Sequence, residues 1–169
     1  TFVARTQDTN TKHLSEILRR AAAHRGTAFV EVYQNCVVYN PTAWQHTTDP
    51  GQRDDNIVFL EEGEPLVFGK DMDKGIRMNG QEPELVALGN GVSEDELIVH
   101  REGTQNTAYA YMLSRMEDPG MPLPFGILRC VEKPSYNQML SAQIESAVEE
   151  SGVGDLSDLY GAADTWTVE

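Results

Sequence analysis

The opening 33 residues admit few folds. Phe2-Val3-Ala4-Arg5 reads as a short apolar strand. Asp8-Thr9-Asn10 is a cluster of helix cap-formers. Behind it, Leu14, Ile17, Leu18, Ala21 and Ala22 recur at i, i+3, i+4, i+7 and i+8, one face of a helix. Lys12, Glu16, Arg19 and Arg20 cover much of the other face, and Gly26 is placed to stop the helix as a C′ residue. Ala28-Phe29-Val30-Glu31-Val32-Tyr33 then reads as a mostly buried strand. Strand, helix and strand in so short a span make a βαβ unit. The two strands are therefore expected to lie parallel, with a right-handed crossover and the Thr11–His24 helix on one face. In open parallel sheets ligands gather beyond the carboxyl ends of strands. Residues 34–41, Gln34-Asn35-Cys36-Val37-Val38-Tyr39-Asn40-Pro41, occupy that place.

From Pro41 to Asn56 the composition turns to Thr, Asp, Pro, Gly and Gln, which predicts a long surface loop with a helical turn near Ala43-Trp44. Asn56–Leu60 and Pro65–Phe68 flank Glu61-Glu62-Gly63-Glu64, a hairpin signal. Ile76-Arg77-Met78 and Glu84–Leu88 are further short strands, split by Asn79-Gly80, and Asn90-Gly91 marks a turn. Ser93-Glu94-Asp95-Glu96 resembles a capping box. Ala108, Tyr111, Met112 and Arg115 fall at helical spacing within Thr107–Met116, which Pro119, Pro122 and Pro124 end. Phe125–Val131 is a last strand. A helix is expected from Pro134 or Ser135 to about Ser151, with Met139, Leu140, Ile144, Ala147 and Val148 as its apolar face. Gly152 and Gly154 close it, Leu156, Leu159 and Tyr160 suggest a short helix, and Trp166 anchors an otherwise polar tail. The chain begins within a strand, as a piece of something longer would.

Charge excludes some partners. Thirteen Lys and Arg stand against 27 Asp and Glu, a net −14 on 169 residues. Residues 1–45 carry five basic and three acidic side chains, so the deficit lies entirely in 46–169. Such a surface repels phosphate backbones and anionic lipid, so neither nucleic acid nor membrane is expected as a partner. It serves solubility, adaptation to a salty cytoplasm, or the steering of a charged partner. No apolar run approaches the roughly 20 residues of a transmembrane helix. Two cysteines, Cys36 and Cys130, imply no disulfide framework, and a cytoplasmic location with reduced thiols is the expectation.

Few residues point to chemistry. No Gly-rich phosphate loop, GxSxG, HExxH or CxxC occurs. His13, His24, His46 and His100 lack ligand spacing, and His13 and His24 read as surface positions. The paired acids Asp54-Asp55, Glu61-Glu62 and Asp95-Glu96 read as solvated, and Trp44, Tyr109, Tyr111 and Trp166 as packing residues. Cys36 stands apart. It follows a parallel strand directly, and backbone amides in a turn there can hydrogen-bond sulfur or phosphate. A small buried cysteine is the competing reading. Zinc or an iron–sulfur cluster needs about four protein ligands, so any other ligands to a metal at Cys36 lie outside this chain. Cys130, between Arg129 and Val131, reads as an inert core thiol.

Gly26-Thr27-Ala28-Phe29-Val30-Glu31-Val32-Tyr33-Gln34-Asn35-Cys36 resembles a strand and following cysteine of the 2-oxoacid:ferredoxin oxidoreductase β subunits, within the 2-oxoglutarate branch. Gly63-Glu64-Pro65-Leu66-Val67-Phe68-Gly69 is similar to that branch's hairpin. Tyr109-Ala110 with Leu113-Ser114-Arg115-Met116 is similar to a helix of it, and Asp164-Thr165-Trp166-Thr167-Val168-Glu169 to its extreme C-terminus. The likeness runs from residue 2 to residue 169, in the manner of the subunit's C-terminal half.

The resemblance implies an α/β fold: the last βαβ part of a thiamine-diphosphate-binding parallel-sheet domain (residues 1–45), then an α+β C-terminal extension (46–169). It implies oxidative decarboxylation of a 2-oxoacid with coenzyme A, passing electrons to ferredoxin. In the full enzyme the cofactors are thiamine diphosphate, Mg²⁺ and a [4Fe–4S] cluster, and the partners are an α subunit and ferredoxin. Cys36 carries over as the fourth cluster ligand. The family's Gly-Asp-Gly segment and its other three cysteines are absent here. No catalytic residue and no bound cofactor are therefore expected of these residues alone, which are expected to be inactive. The alternative is a non-catalytic subunit-assembly module. A small iron–sulfur carrier is excluded by the cysteine count.

Overall fold

The computed structural model describes residues 1–169 except Asn90, Asp118, Pro119, Ala163, Thr165, Thr167 and Glu169. The expected turn at Asn90, the helix stop at Pro119 and part of the C-terminal motif lie outside the described residues.

The chain opens with β1 (Phe2–Gln7), α1 (Thr11–Ala23) and β2 (Ala28–Tyr33). Asn10 caps α1, its Oδ1 accepting from the His13 amide at 3.2 Å. The helix ends one turn before the expected stop residue. His24 is already extended (φ −68°, ψ 135°), and Gly26, at φ +138°, instead turns the chain into β2. A Cβ there would collide with the Thr1 hydroxyl, so glycine is required. β1 and β2 are parallel, in register from Phe2 opposite Ala28 to Gln7 opposite Tyr33. The βαβ expectation holds.

Short helices α2 (Gln45–Thr48) and α3 (Arg53–Asn56) then lead into β3 (Ile57–Leu60). β4 (Val67–Phe68), β5 (Lys74–Asn79) and β6 (Glu82–Ala87) follow, then a 3₁₀ turn at Glu94–Glu96, α4 (Thr107–Arg115) and β7 (Leu123–Cys130). β7 enters the first sheet beside β1, antiparallel to it, and pairs in parallel with β3. The order is β2-β1-β7-β3, and β4-β5-β6 form a separate antiparallel sheet. Ile57–Leu60 and Pro65–Phe68 therefore form no hairpin: the two segments enter different sheets. The Asn79-Gly80 hairpin between β5 and β6 and the Ser93 capping box are both present.

Alternation on β1 and β7 divides the core. Phe2, Ala4 and Ile127 face Ile17 of α1. Val3 and Leu128 face the other way, toward Val58, Leu66, Phe68, Ile76, Leu113 and Met116. On α4 the buried residue is Leu113, followed by the buried C-cap Met116, with Tyr109 and Met112 partly covered; Tyr111 of the expected face is exposed. β2 is also not buried as expected. It is the sheet's edge, with Phe29 61% and Val32 41% exposed.

Strands from both sides of residue 45 share the first sheet, and the chain forms two compact units, 1–133 and 134–169. The second unit holds α5 (Tyr136–Ser151), with a complete capping box at Ser135, and α6 (Leu156–Gly161). No α5 residue is buried. Trp166 is 84% exposed and anchors nothing. Among the described residues no helix is long and apolar enough to cross a membrane.

Candidate functional site

Beyond the carboxyl end of β2 the chain makes a tight turn around Cys36. Its carbonyl accepts from the Asn40 amide at 2.9 Å, and the two residues form an isolated antiparallel bridge. The side chain is exposed. The backbone of the same turn, Tyr39 first and then Val38, pulls the thiol below its ordinary range by favouring the thiolate.

Neighbouring side chains fix the turn. Asn35 Oδ1 accepts from the Trp44 amide at 2.7 Å, tying the far side of the loop to its start. Trp44 packs on Tyr33, ring centroids 4.2 Å apart, and Tyr33 meets Phe125 of β7 edge-on at 5.6 Å. The Arg5 guanidinium lies 5.2 Å from the Tyr33 ring centre and pairs with Glu31 at 2.8 Å. Burial raises the Tyr33 phenol pKa, against the opposing pull of Arg5. Val37, Val38 and Tyr39, by contrast, stand in solvent around the sulfur. An exposed thiol of lowered pKa suits a soft-metal ligand or a nucleophile.

Cys130 is elsewhere. It pairs with Phe2 at the start of β1, whereas Cys36 follows the end of β2. Six residues of strand separate those levels, about 20 Å. Cys130 is half-buried, its Sγ 3.8 Å from His24 Nδ1. The two thiols cannot share an ion. A cleft of about 680 Å³ opens near the carboxyl end of β1, lined by Asn10, Arg53, Phe59, Phe68, Lys70 and Met72. Met72 sits at φ +52°, the one non-glycine residue with positive φ among those described.

The sequence gives no local sign of the most buried polar cluster. Glu62, His100 and Glu102 bring ligand-type atoms within 4.8 Å of one another. His100 is fully buried, and Glu62, exposed as expected, accepts from the Glu102 amide at 2.6 Å. Each group already has a partner. His100 Nε2 lies 2.9 Å from the Ile127 carbonyl, which can only accept, so this nitrogen carries the proton. Nδ1 then accepts from the Tyr109 hydroxyl at 3.0 Å. Arg20 grips Glu102 with two hydrogen bonds, at 3.0 and 2.6 Å. Burial lowers the His100 pKa and raises that of Tyr109. This is a satisfied structural network rather than an open metal site. His13, read as a surface residue, is half-buried against the Thr6 hydroxyl at 2.7 Å.

No protein-family model matches the chain. It is 35% identical, over 172 aligned positions, to the 2-oxoglutarate oxidoreductase subunit KorB of Mycobacterium tuberculosis, covering 100% of this chain and 46% of that subunit. It is also 48% identical over 40 residues to the 2-oxoacid:ferredoxin oxidoreductase subunit beta of Saccharolobus solfataricus, 24% of this chain and 13% of the relative. The chain thus spans about half the length of the relative that it matches throughout. Among solved structures it resembles a 2-oxoglutarate:ferredoxin oxidoreductase from Magnetococcus marinus, determined with 2-oxoglutarate, coenzyme A and succinyl-CoA bound. The TM-score is 0.53 at 18% identity, over 98% of this chain and 41% of that one. At that identity the likeness is one of fold.

Proposed function

We propose, from the likeness of the whole chain to KorB and of 40 residues to a 2-oxoacid:ferredoxin oxidoreductase subunit beta, that this chain belongs to a β subunit of that family and serves in the same reaction. A 2-oxoacid, 2-oxoglutarate first, is decarboxylated oxidatively and its acyl group passed to coenzyme A, while electrons go to ferredoxin. The whole-length match to KorB carries this reading. An α subunit of the same enzyme is the proposed companion, thiamine diphosphate with Mg²⁺ and a [4Fe–4S] cluster the proposed cofactors, and the cytoplasm the proposed location.

Cys36 is the proposed cluster ligand. Its donor chemistry fits one soft ligand: an exposed thiol that the backbone of its turn lowers below the ordinary range. It fits one ligand only, since Cys130 is at the opposite end of the sheet. The remaining ligands would come from outside these 169 residues, which are proposed to be inactive alone. When bound, the thiamine cofactor stabilises the carbanion left by decarboxylation, and the cluster carries single electrons. This chain's own residues position. Asn35 and Asn40 fix the turn, while Tyr33, Trp44 and Phe125 brace it from the sheet.

The test is anaerobic production with the companion subunits and an assay of ferredoxin reduction dependent on 2-oxoglutarate and coenzyme A. A rate with 2-oxoglutarate supports the reading; no rate with any 2-oxoacid overturns it. Cys36→Ser is expected to lower bound iron and abolish ferredoxin reduction while leaving the fold intact. A second reading, a non-catalytic assembly module, is favoured by the full engagement of Glu62, His100 and Glu102. Unchanged iron and unchanged rate in Cys36→Ser select it.

A further inference from the structure

The hairpin between β5 and β6 closes on Asn79 and Gly80. Asn79 is the last residue of β5 and pairs with Glu82, the first of β6, so Gly80 and Gln81 make the turn. Gly80 stands at φ +66°, and apart from its chain neighbours nothing lies within 4 Å of the place its Cβ would take. Asn79, Gly80 and Gln81 are all exposed. The buried residues of the two strands, Gly75, Ile76 and Val86, lie further back. The last two pairs, Met78 with Pro83 and Asn79 with Glu82, therefore involve no buried residue, and such an end opens at low cost.

Other asparagines are restrained. Asn10, Asn35 and Asn106 each accept a backbone amide on Oδ1, and Asn56 donates through Nδ2 to the Gln52 carbonyl. Each of the four also precedes a residue with a side chain: Thr11, Cys36, Thr107 and Ile57. Asn79 shares neither restraint. Its exposed side chain makes no hydrogen bond among the described residues, and glycine follows it.

We propose that Asn79 is a site of spontaneous deamidation through a cyclic imide. The Gly80 backbone nitrogen gives its proton to hydroxide or buffer base and attacks Asn79 Cγ. The new C–N bond closes a five-membered succinimide, and the side-chain nitrogen takes up a proton and leaves as ammonia. Water then opens the ring at either carbonyl. One opening leaves aspartate; the other leaves isoaspartate, in which the main chain runs through the former side-chain carbon. Water is consumed and ammonia released, and no oxidant, reductant or enzyme is needed. Glycine contributes twice: its missing Cβ leaves the attacking nitrogen unhindered, and its wide φ/ψ range lets the turn reach the ring geometry. Both products alter the hairpin. A carboxylate at position 79 stands opposite Glu82, a like-charge pair across the strands. Isoaspartate also adds a methylene to the backbone and shifts the register of the last pairs.

The experiment ages the purified chain in warm, mildly alkaline buffer and follows it by peptide mass spectrometry against a sample taken at the start. Cleavage after glutamate separates Asn79 from Asn90, which also precedes glycine, because Glu82 and Glu84 lie between them. The Asn79 peptide is expected to gain the mass of an amide-to-acid exchange at least about tenfold faster than the peptides of Asn10, Asn35, Asn56 and Asn106. Isoaspartate is expected among its products, read by methyl transfer from S-adenosylmethionine with an isoaspartyl methyltransferase. Gly80→Ala is expected to slow the gain at least about fivefold, although it strains the turn, because its Cβ hinders the attacking nitrogen. Asn79→Gln, which keeps the turn glycine but would need a six-membered ring, is expected to remove the gain and keep the wild-type circular dichroism. A gain at Asn79 no faster than at the four restrained asparagines, or one confined to Asn90, overturns the site. A gain without isoaspartate, or one unchanged in Gly80→Ala, means direct hydrolysis and overturns the imide route.

Discussion

At Cys36, the backbone of its own turn lowers the thiol pKa, and the side chain is exposed, which together distinguish it from half-buried Cys130. The shift favours the thiolate, so at neutral pH iodoacetamide should label Cys36 well ahead of half-buried Cys130. The pH midpoint of its labelling rate should lie below that of a free cysteine, as peptide mass spectrometry would read. Equal rates at the two positions would remove the physical basis for Cys36 as a ligand. His100 shows the opposite pressure. Burial is the first cause of its lowered pKa, as it is for His13. The unfolded chain gains protons at these histidines as pH falls through 6.5, whereas the folded chain does so only lower. The unfolded state therefore binds more protons in that window, and stability rises with pH. Urea midpoints should drop between about pH 7.5 and about pH 5.5, and His100→Gln should flatten the slope. His100→Ala, which orphans the Tyr109 hydroxyl and the Ile127 carbonyl and leaves a void, should cost about 2–4 kcal/mol.

At the scale of elements, β7 holds the first sheet together by lying between β1 and β3. Gly126 is where that is tightest. It pairs with both Arg5 and Leu60, has φ +137°, and a Cβ there would meet Leu60 Cβ and its carbonyl oxygen at 2.8 Å. Backbone cannot retreat as a flexible side chain can. Gly126→Ala should therefore destabilise by at least about 3 kcal/mol in urea unfolding, from strain and overpacking together. A cost under about 1 kcal/mol would mean that β3 pairs differently. β2 sits at the opposite limit, an edge with Phe29 and Val32 open to solvent and its unpaired backbone free for a further strand.

Across the whole molecule, order should follow burial. β1 and β7 lie within the core, while no residue of α5 is buried. Hydrogen exchange followed by mass spectrometry should find β7 amides the slowest and those of α5 and α6 among the fastest, since opening α5 exposes little apolar surface. Protection of α5 equal to that of β7 in the isolated chain would contradict this.

Local signals were sufficient for what they encode. The Asn10 cap and the i, i+3, i+4 pattern of α1, the Asn79-Gly80 turn, the Ser93 capping box and the helix start near Ser135 each read correctly, because neighbours in sequence make those contacts. The β1–β2 pairing followed from chain connectivity. Partners far apart in sequence decided the rest. Apolar runs such as Ile57–Leu60 and Pro65–Phe68 carry no mark of the sheet they join, and β7, more than a hundred residues after β1, chose it. Ala28–Tyr33 looks buried because apolar strands usually are, but an edge is defined only by which strands the sheet contains. His100 gained its partners when β7 and α4 closed around it, bringing in Ile127 and Tyr109. Sequence alone determined the local turns, the caps and the place of Cys36 just after a strand; tertiary pairing decided which faces were buried, because burial depends on everything packed against a residue.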